Sequence, residues 1–203
     1  MTTKGGKARR LWVRLITVAC LWLAGAMPWQ WPEARADPLE GTLEVQSAFV
    51  SVVGGVYQLN VRSRYPSSEE AAGALRDGVS LSYEVDVEVS RERRYWTNKN
   101  IVALQLKREL SYHLVSERYV VRDPLLEGEQ KSYATLDEAL AALGSIESWP
   151  ILVASQVAEP GTYLVSVRAG VRCGRLTDAL RALMFWSDDW QRESEWYSWS
   201  LPR

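Results

Sequence analysis

The chain has 203 residues, of which 47% are hydrophobic and 24% are charged, with 24 Lys and Arg against 25 Asp and Glu. These fractions are ordinary for a globular protein, so they exclude wholesale disorder, collagen-like repeats and a membrane protein with several spans. The length allows one domain, or one domain with an appendage. A single His and two Cys limit any chemistry that depends on those side chains.

The first 36 residues have the pattern of a secretory signal peptide. Residues 4–14 carry five basic side chains and no acidic one, and an apolar run follows over 15–26. A helix of that run would rise about 18 Å, which is less than the roughly 30 Å hydrocarbon core of a bilayer. Residues 34–36 supply an A-x-A cleavage site, and residues 24–26 supply a second one. An uncleaved membrane anchor is the alternative.

Cleavage after Ala36 leaves one predicted domain, residues 37–203, with 18 basic and 24 acidic side chains and a net charge of −6. An acidic domain is a poor candidate for nucleic-acid binding, because that affinity comes largely from the neutralisation of phosphates. Cys173 is the one cysteine of this domain, so an internal disulfide is excluded. The sequence therefore predicts an exported domain that is held together by its hydrophobic core.

Most of this domain has the pattern of β-strands. Apolar and polar residues alternate strictly over 79–90, which is the clearest strand in the sequence. Gly54-Gly55 separates two alternating stretches, 42–53 and 56–65, and predicts a hairpin turn. Further strands are predicted over 101–107, 109–122, 151–157, 161–171 and 190–200.

Short helices are predicted between the strands. The pairs Ser67/Glu70 and Thr135/Glu138 are capping boxes that start two helices, and residues 177–185 predict a third. About seven or eight strands with regular turns predict a mainly β protein, an antiparallel β-sandwich of immunoglobulin-like type with helices in its connections. A small barrel is the alternative. Helices and strands do not alternate regularly, which excludes a Rossmann-type sheet.

Residues that carry catalysis are scarce. His113 is the single histidine, and no G-x-S-x-G nucleophile elbow accompanies it. Together with Cys173 it supplies fewer ligands than a zinc site needs. The sequence has no P-loop and no G-x-G-x-x-G motif, so no cofactor is predicted. Acidic residues such as Asp188, Asp189 and Glu195 leave a hydrolytic carboxylate pair open, but we predict a protein that is not an enzyme.

The most unusual feature is the C-terminal stretch 186–199, which holds four Trp and one Tyr among four carboxylates. Such aromatic side chains suit a sugar platform, a protein interface or a membrane–water boundary, or they fill the end of a core that has few Phe. From this density we predict a binding site of Trp190, Glu195, Trp196 and Trp199, in which the indoles anchor the ligand and Glu195 orients it.

Basic residues are clustered in two places in this acidic domain. Arg62 and Arg64 lie in the predicted hairpin, and residues 91–94 form a charged turn after the clearest strand. The two groups would together make a local basic patch, whereas the alternative is that they are solvated strand ends.

Several segments also carry a family resemblance: residues 110–121, 133–136, 139–140, 189–190 and the Ser-Glu-Trp-Tyr-Ser-Trp run at 194–199. They resemble a proteobacterial family of small exported proteins with a domain of unknown function, which are sometimes labelled proline-rich signal peptide proteins. The resemblance spans most of 38–201 and implies an exported, β-rich protein of the Gram-negative envelope. Members are often encoded near a membrane-bound, nitrogen-responsive sensor kinase, which implies a link to envelope sensing. The resemblance implies no catalytic residues.

These features together predict a periplasmic binding or interaction module whose partner is another envelope protein. One alternative is a glycan-binding or glycan-cleaving envelope protein. Another is a membrane-anchored accessory protein that retains the helix over 11–27. No metal site and no nucleic-acid partner is predicted, and contact with a membrane is expected only if the N-terminal segment is retained.

Overall fold

The computed structural model describes residues 39–93, 97–126, 129–174 and 190–201, and over these residues the protein is mainly β, with antiparallel sheets and two α-helices. The strands are β1 (Glu44–Val53), β2 (Val56–Arg64), β3 (Leu81–Arg91), β4 (Lys99–His113), β5 (Arg118–Arg122), β6 (Gln130–Tyr133), β7 (Ser145–Val153), β8 (Tyr163–Cys173), β9 (Gln191–Glu193) and β10 (Tyr197–Ser200). The helices are α1 (Glu69–Arg76) and α2 (Leu136–Gly144), and short 3-10 turns cover Pro124–Leu126 and Ala154–Val157. The predicted signal peptide and the predicted third helix lie outside the described residues.

The strands form two antiparallel sheets. The small sheet has the order β1-β2-β7, and the large sheet has the order β10-β8-β3-β4-β5-β6, with β9 paired to β8. Side chains from both sheets share one hydrophobic cluster, which includes Leu59 of β2, Val87 of β3 and Val165 of β8. Neither sheet of the described chain closes on itself. The predicted antiparallel, mainly β class is therefore confirmed, and the barrel alternative does not hold for these residues.

The hairpin β1–β2 follows directly from its two glycines. Gly54 and Gly55 have φ values of 59° and 78°, and they connect the paired residues Val53 and Val56. Both central positions of a type I′ turn need this left-handed conformation, which glycine adopts without a steric penalty. The predicted hairpin is confirmed.

Strand β3 forms the centre of the large sheet, between β4 and β8. Its alternation places Val85, Val87 and Val89 in the core, each at most 1% exposed. The residues between them face the other side of the sheet, where Glu84 is nevertheless only 3% exposed. This burial comes from ion pairs with the neighbouring strands, described below.

Strand β4 is longer than the sequence predicts. The structure has one strand over Lys99–His113 and a turn over 114–117, where the prediction had separate segments over 101–107 and 109–122. Arg108 is the residue between the two predicted segments. Arg108 is in fact 4% exposed and faces the core side of the sheet, where its guanidinium binds the end of α2, so the strand continues through it.

The two helices close one end of the core. In α2, the predicted capping box is confirmed, with Thr135 Oγ1 accepting from the Glu138 amide at 3.2 Å. In α1, the N-cap is Ser68 and not Ser67, because Ser68 Oγ accepts the Ala71 amide at 3.0 Å. The neighbouring Ser67 hydroxyl is turned toward α2 instead, which brings the two helix N-termini together.

Candidate functional site

The four residues of the predicted C-terminal site differ in burial. Trp190 is 7% exposed and belongs to the core cluster that packs against the helices. Trp199, in β10, packs partly buried against the cluster shared by the two sheets. Trp196 is 40% exposed, and Glu195 is exposed beside it. Trp190 and Trp199 thus contribute to the core, and a role of Trp196 and Glu195 in binding stays a prediction.

The exposed indole of Trp196 already has a partner. The Arg168 guanidinium carbon lies 4.7 Å from the centroid of the ring, a cation–π arrangement. The same guanidinium binds Asp86 at 3.0 Å and also binds Glu193. Because Arg168 covers one side of the indole ring, less of Trp196 is available for stacking on a sugar.

The outer face of the large sheet carries further ion pairs between neighbouring strands. Glu84 of β3 pairs with Lys107 of β4, Nζ to Oε1, at 3.0 Å, and with Arg172 of β8. Gln105 of β4 donates to Asp86 at 2.8 Å. Glu84 and Asp86, on the outer face of β3, are thus each matched by a cation or an amide, and the arrangement stabilises strand pairing.

A cleft of about 470 Å³ lies between the end of β2 and α2. We call it the basic cleft. Its charged and amide-bearing lining consists of Arg62, Arg64, Gln46 and Asp137, and Leu140 and Ala141 of α2 form an apolar wall. The sequence had indicated Arg62 and Arg64 as half of a basic patch, whereas Arg91 of the other half pairs with Glu159.

The two arginines of the basic cleft differ in their surroundings. Arg64 lies 3.9 Å from the Glu44 carboxylate, Nη1 to Oε1. When the amide of Gln46 is oriented with its oxygen toward Arg64, it accepts hydrogen bonds from Nη2 and Nε at 2.8 and 3.0 Å. Within the described residues, no carboxylate pairs with Arg62. Asp137 is held by the Ser67 hydroxyl, which donates to Oδ1 at 2.8 Å.

Two buried hydroxyl groups belong to residues that line the same cleft. Ser63 is 8% exposed and Tyr65 is 6% exposed, and neither hydroxyl has a hydrogen-bond partner in the described part of the protein. Burial raises the pKa of Tyr65 to about 12, partly offset by the positive charge of Arg108. The phenol is therefore neutral near pH 7 and keeps its proton for donation.

A second cleft, of about 330 Å³, lies on the other side of α2 and is lined by Arg108 and Asp123 among others. The Arg108 guanidinium donates to the carbonyl oxygens of Ser145 at 3.2 Å and Ala142 at 3.4 Å, and also to Leu143. These bonds engage carbonyl oxygens at the end of α2, where the last carbonyls of a helix lack the regular i+4 amide donor. Arg108 is thus already engaged in holding α2 on the sheet.

The small sheet presents edge strands and an exposed apolar end. Strand β1 is one of its two edge strands, and Phe49 of β1 is 60% exposed. Val53 of β1 and Val153 of β7 are 57% and 43% exposed, and both pair with Val56, which lies between them in β2. We call Phe49, Val53 and Val153 the apolar end of the small sheet.

His113 and Cys173, the side chains considered for catalysis, line neither cleft and do not belong to the apolar end. His113 lies at an exposed turn, with its Nδ1 3.0 Å from Ser116 Oγ. Cys173 is partly buried, and burial raises the pKa of its thiol. Among the described residues, no three His, Cys, Asp or Glu side chains lie close enough together to hold a metal ion. None of the helices in the described ranges is both long and apolar enough to cross a membrane.

Comparison with known proteins places this mainly β, antiparallel domain in a family. The chain belongs to the family described as Domain of unknown function (DUF4390), which matches residues 40–200. No curated protein and no solved structure matched the chain. The family match covers nearly all of the predicted domain, but it assigns no role to any residue.

Proposed function

We propose that this protein is a non-enzymatic interaction module of the Gram-negative envelope that is exported to the periplasm and binds an extended segment of a partner protein along β1. The observation that carries the proposal is the uncovered edge of the small sheet with its apolar end. The export and the envelope location rest on the pattern of residues 1–36, and the link to a membrane sensor system rests on the family resemblance.

From Ser47 to Val53, the edge of β1 lacks the features that usually protect an edge strand. Such strands are commonly blunted by charged residues, proline or a bulge, because their free N–H and C=O groups would otherwise pair with another chain. Strand β1 has a bulge between Val45 and Ser47, and Glu44 is its one charged residue. From Ser47 to Val53 it has neither charge nor proline. This part of the edge therefore suits the addition of a strand from a partner.

The apolar end adds side-chain anchors to this backbone template. Phe49 and Val53 lie on the same face of β1, the one that points away from the core, with Ser51 between them. A partner strand laid beside β1 would place alternate side chains next to them, and large apolar anchors of this kind contribute most of the energy in protein interfaces.

Site-specific photocrosslinking in living cells tests this proposal. We expect a photoreactive residue at Ser51 to give one discrete adduct with an envelope protein, and a Phe49→Lys substitution to abolish it. A photoreactive residue at Tyr197, which is 39% exposed in an edge strand of the large sheet, is the matched control and should give no such adduct. A synthetic copy of the crosslinked partner segment should compete. Equal adducts at Ser51 and Tyr197, or none at Ser51, would refute binding along β1.

Sequencing the N-terminus of the protein recovered from cells tests the export. A chain starting at Asp37 would agree with cleavage after Ala36. A chain that keeps its N-terminal segment would favour the alternative of a membrane-anchored accessory protein.

Glycan binding is the second candidate function, because Trp196 and Glu195 are exposed next to each other. Tryptophan fluorescence titrated with peptidoglycan fragments would test it. We expect a saturable change that disappears in Trp196→Ala if this candidate is correct. An unchanged signal in the wild-type protein would exclude it for those fragments.

The finer interpretation of the fold is also a proposal. The cluster shared by the two sheets supports a sandwich, with the small sheet covering part of the large one. An immunoglobulin-like strand arrangement remains a prediction from the number and spacing of the strands.

A further inference from the structure

We propose that the basic cleft binds a small molecule that carries an oxyanion, either a carboxylate or a phosphate, at one end and hydrogen-bond donors at the other. The proposal is independent of partner binding along β1, because it concerns the opposite end of the small sheet.

The size and walls of the cleft suit a small molecule. Its volume of about 470 Å³ lies within the range of roughly 300–1,000 Å³ that is usual for small-molecule sites. One wall carries the polar side chains of β1 and β2, and the other is formed by Leu140 and Ala141. A molecule of the size of a monosaccharide would therefore meet a polar wall and an apolar wall.

The charges of the cleft are arranged for an oxyanion. Arg62 and Arg64 are two residues apart in β2 and thus lie on one face of the strand. Guanidinium groups bind carboxylate and phosphate through paired hydrogen bonds. With its amide oxygen turned toward Arg64, Gln46 orients this guanidinium without neutralising it, and the Glu44 carboxylate forms only a long, exposed ion pair with it at 3.9 Å.

On the α2 side of the cleft, the carboxylate of Asp137 can accept hydrogen bonds from a ligand. It lies in the first turn of α2, where the helix dipole favours a carboxylate, and the Ser67 hydroxyl holds one of its oxygens. A ligand whose oxyanion is bound by the arginines would extend its hydroxyl or ammonium groups toward Asp137.

Ser63 and Tyr65 also line the cleft, but they alternate with the two arginines along the chain and are buried, Tyr65 within the core cluster. Their hydroxyl oxygens have almost no accessible surface. The polar contacts offered to a ligand in the cleft are therefore those of the arginines and Asp137.

Binding is tested by calorimetry on the purified protein with two matched pairs of probes. Galacturonate differs from galactose by its carboxylate, and glucose 6-phosphate differs from glucose by its phosphate. We expect saturable binding of at least one anionic probe and no binding of its neutral counterpart. The two arms distinguish a carboxylate ligand from a phosphate ligand.

Substitutions then locate the site. Arg62→Gln should raise the Kd about tenfold or more, because it removes a charge-assisted hydrogen bond. Arg118→Gln, an equal charge change at an exposed position outside the cleft, should leave it unchanged. No saturable binding of either anionic probe, equal binding of neutral sugars, or equal weakening by Arg118→Gln would overturn the proposal.

Discussion

Arg108 offers the sharpest test of how α2 is held on the large sheet. Its side chain is 4% exposed, and it donates to three carbonyl oxygens at the end of α2. It also lies 3.5 Å from the carboxylate of Asp123, whose side chain is 15% exposed. A cation at this position complements the negative end of the helix dipole. We predict that Arg108→Met destabilises the protein strongly.

The expected loss can be worked out from these contacts. Methionine keeps most of the apolar stem, so little packing is lost, but Asp123 is left without its cation. Removing one partner of a buried ion pair costs about 3–5 kcal/mol. The carbonyl oxygens that lose their guanidinium donor add little to this destabilisation, because the Ala142 carbonyl still accepts a hydrogen bond from the Ser145 amide. We therefore expect the free energy of unfolding to fall by about 3–5 kcal/mol. The melting temperature should fall by about 2–4 °C for each kcal/mol lost.

Urea unfolding followed by tryptophan fluorescence measures this loss, because Trp149 and Trp190 are both 7% exposed and report on the core. Arg122→Met is the control: Arg122 is 59% exposed and 3.9 Å from Glu109, so its loss should stay within about 1 kcal/mol. Adding Asp123→Asn to Arg108→Met should recover part of the stability. If Arg108→Met costs no more than the control, the assignment of Arg108 as the residue that holds α2 is refuted.

Three further predictions follow from buried groups. Tyr65→Phe should be at least as stable as the wild type at pH 7, because the buried phenol has no hydrogen-bond partner among the described residues. Between pH 10 and about pH 12 the wild type should lose stability, because the tyrosine ionises in the unfolded state before it does so in the folded state. Melting curves recorded against pH should show a smaller loss in the variant. Gly144→Ala should cost about 1–3 kcal/mol in a thermal melt, because a Cβ there would meet the Ser63 carbonyl, and no loss would contradict this close approach. Cys173 should react with iodoacetamide at pH 8 more slowly than free cysteine, owing to its raised pKa, and an equal rate would contradict that burial.

We propose different roles for the two sheets. The large sheet has its inner face in the core and its outer face occupied by ion pairs such as Glu84 with Lys107. The small sheet carries the apolar end, the open edge of β1 and the basic cleft. A large sheet with both faces engaged suits a scaffold, and the small sheet presents the surfaces that we propose for binding.

The binding surfaces were only partly visible in the sequence. Aromatic density pointed to the C-terminal stretch, but density cannot distinguish Trp190, which packs in the core, from Trp196, which is exposed. The sequence places Arg62 and Arg64 in a basic patch, but it does not predict the cleft that they line. The other wall of that cleft is formed by α2, which follows β2 by more than 70 residues. Sites assembled from distant elements leave no local pattern, because only tertiary packing brings their side chains together.

The sequence by itself determined the features that depend on local physics. The Gly54-Gly55 turn, the alternation of β3 and the capping box of α2 each rest on a few neighbouring residues, and all three are confirmed. Tertiary structure decided the course of β4, because the burial of Arg108 is favourable only where the end of α2 offers carbonyl acceptors. It also decided that Ser68 caps α1 while Ser67 turns to Asp137. A polar side chain takes the partner that folding brings to it, and for Arg108 and Ser67 that partner lies far away in the chain.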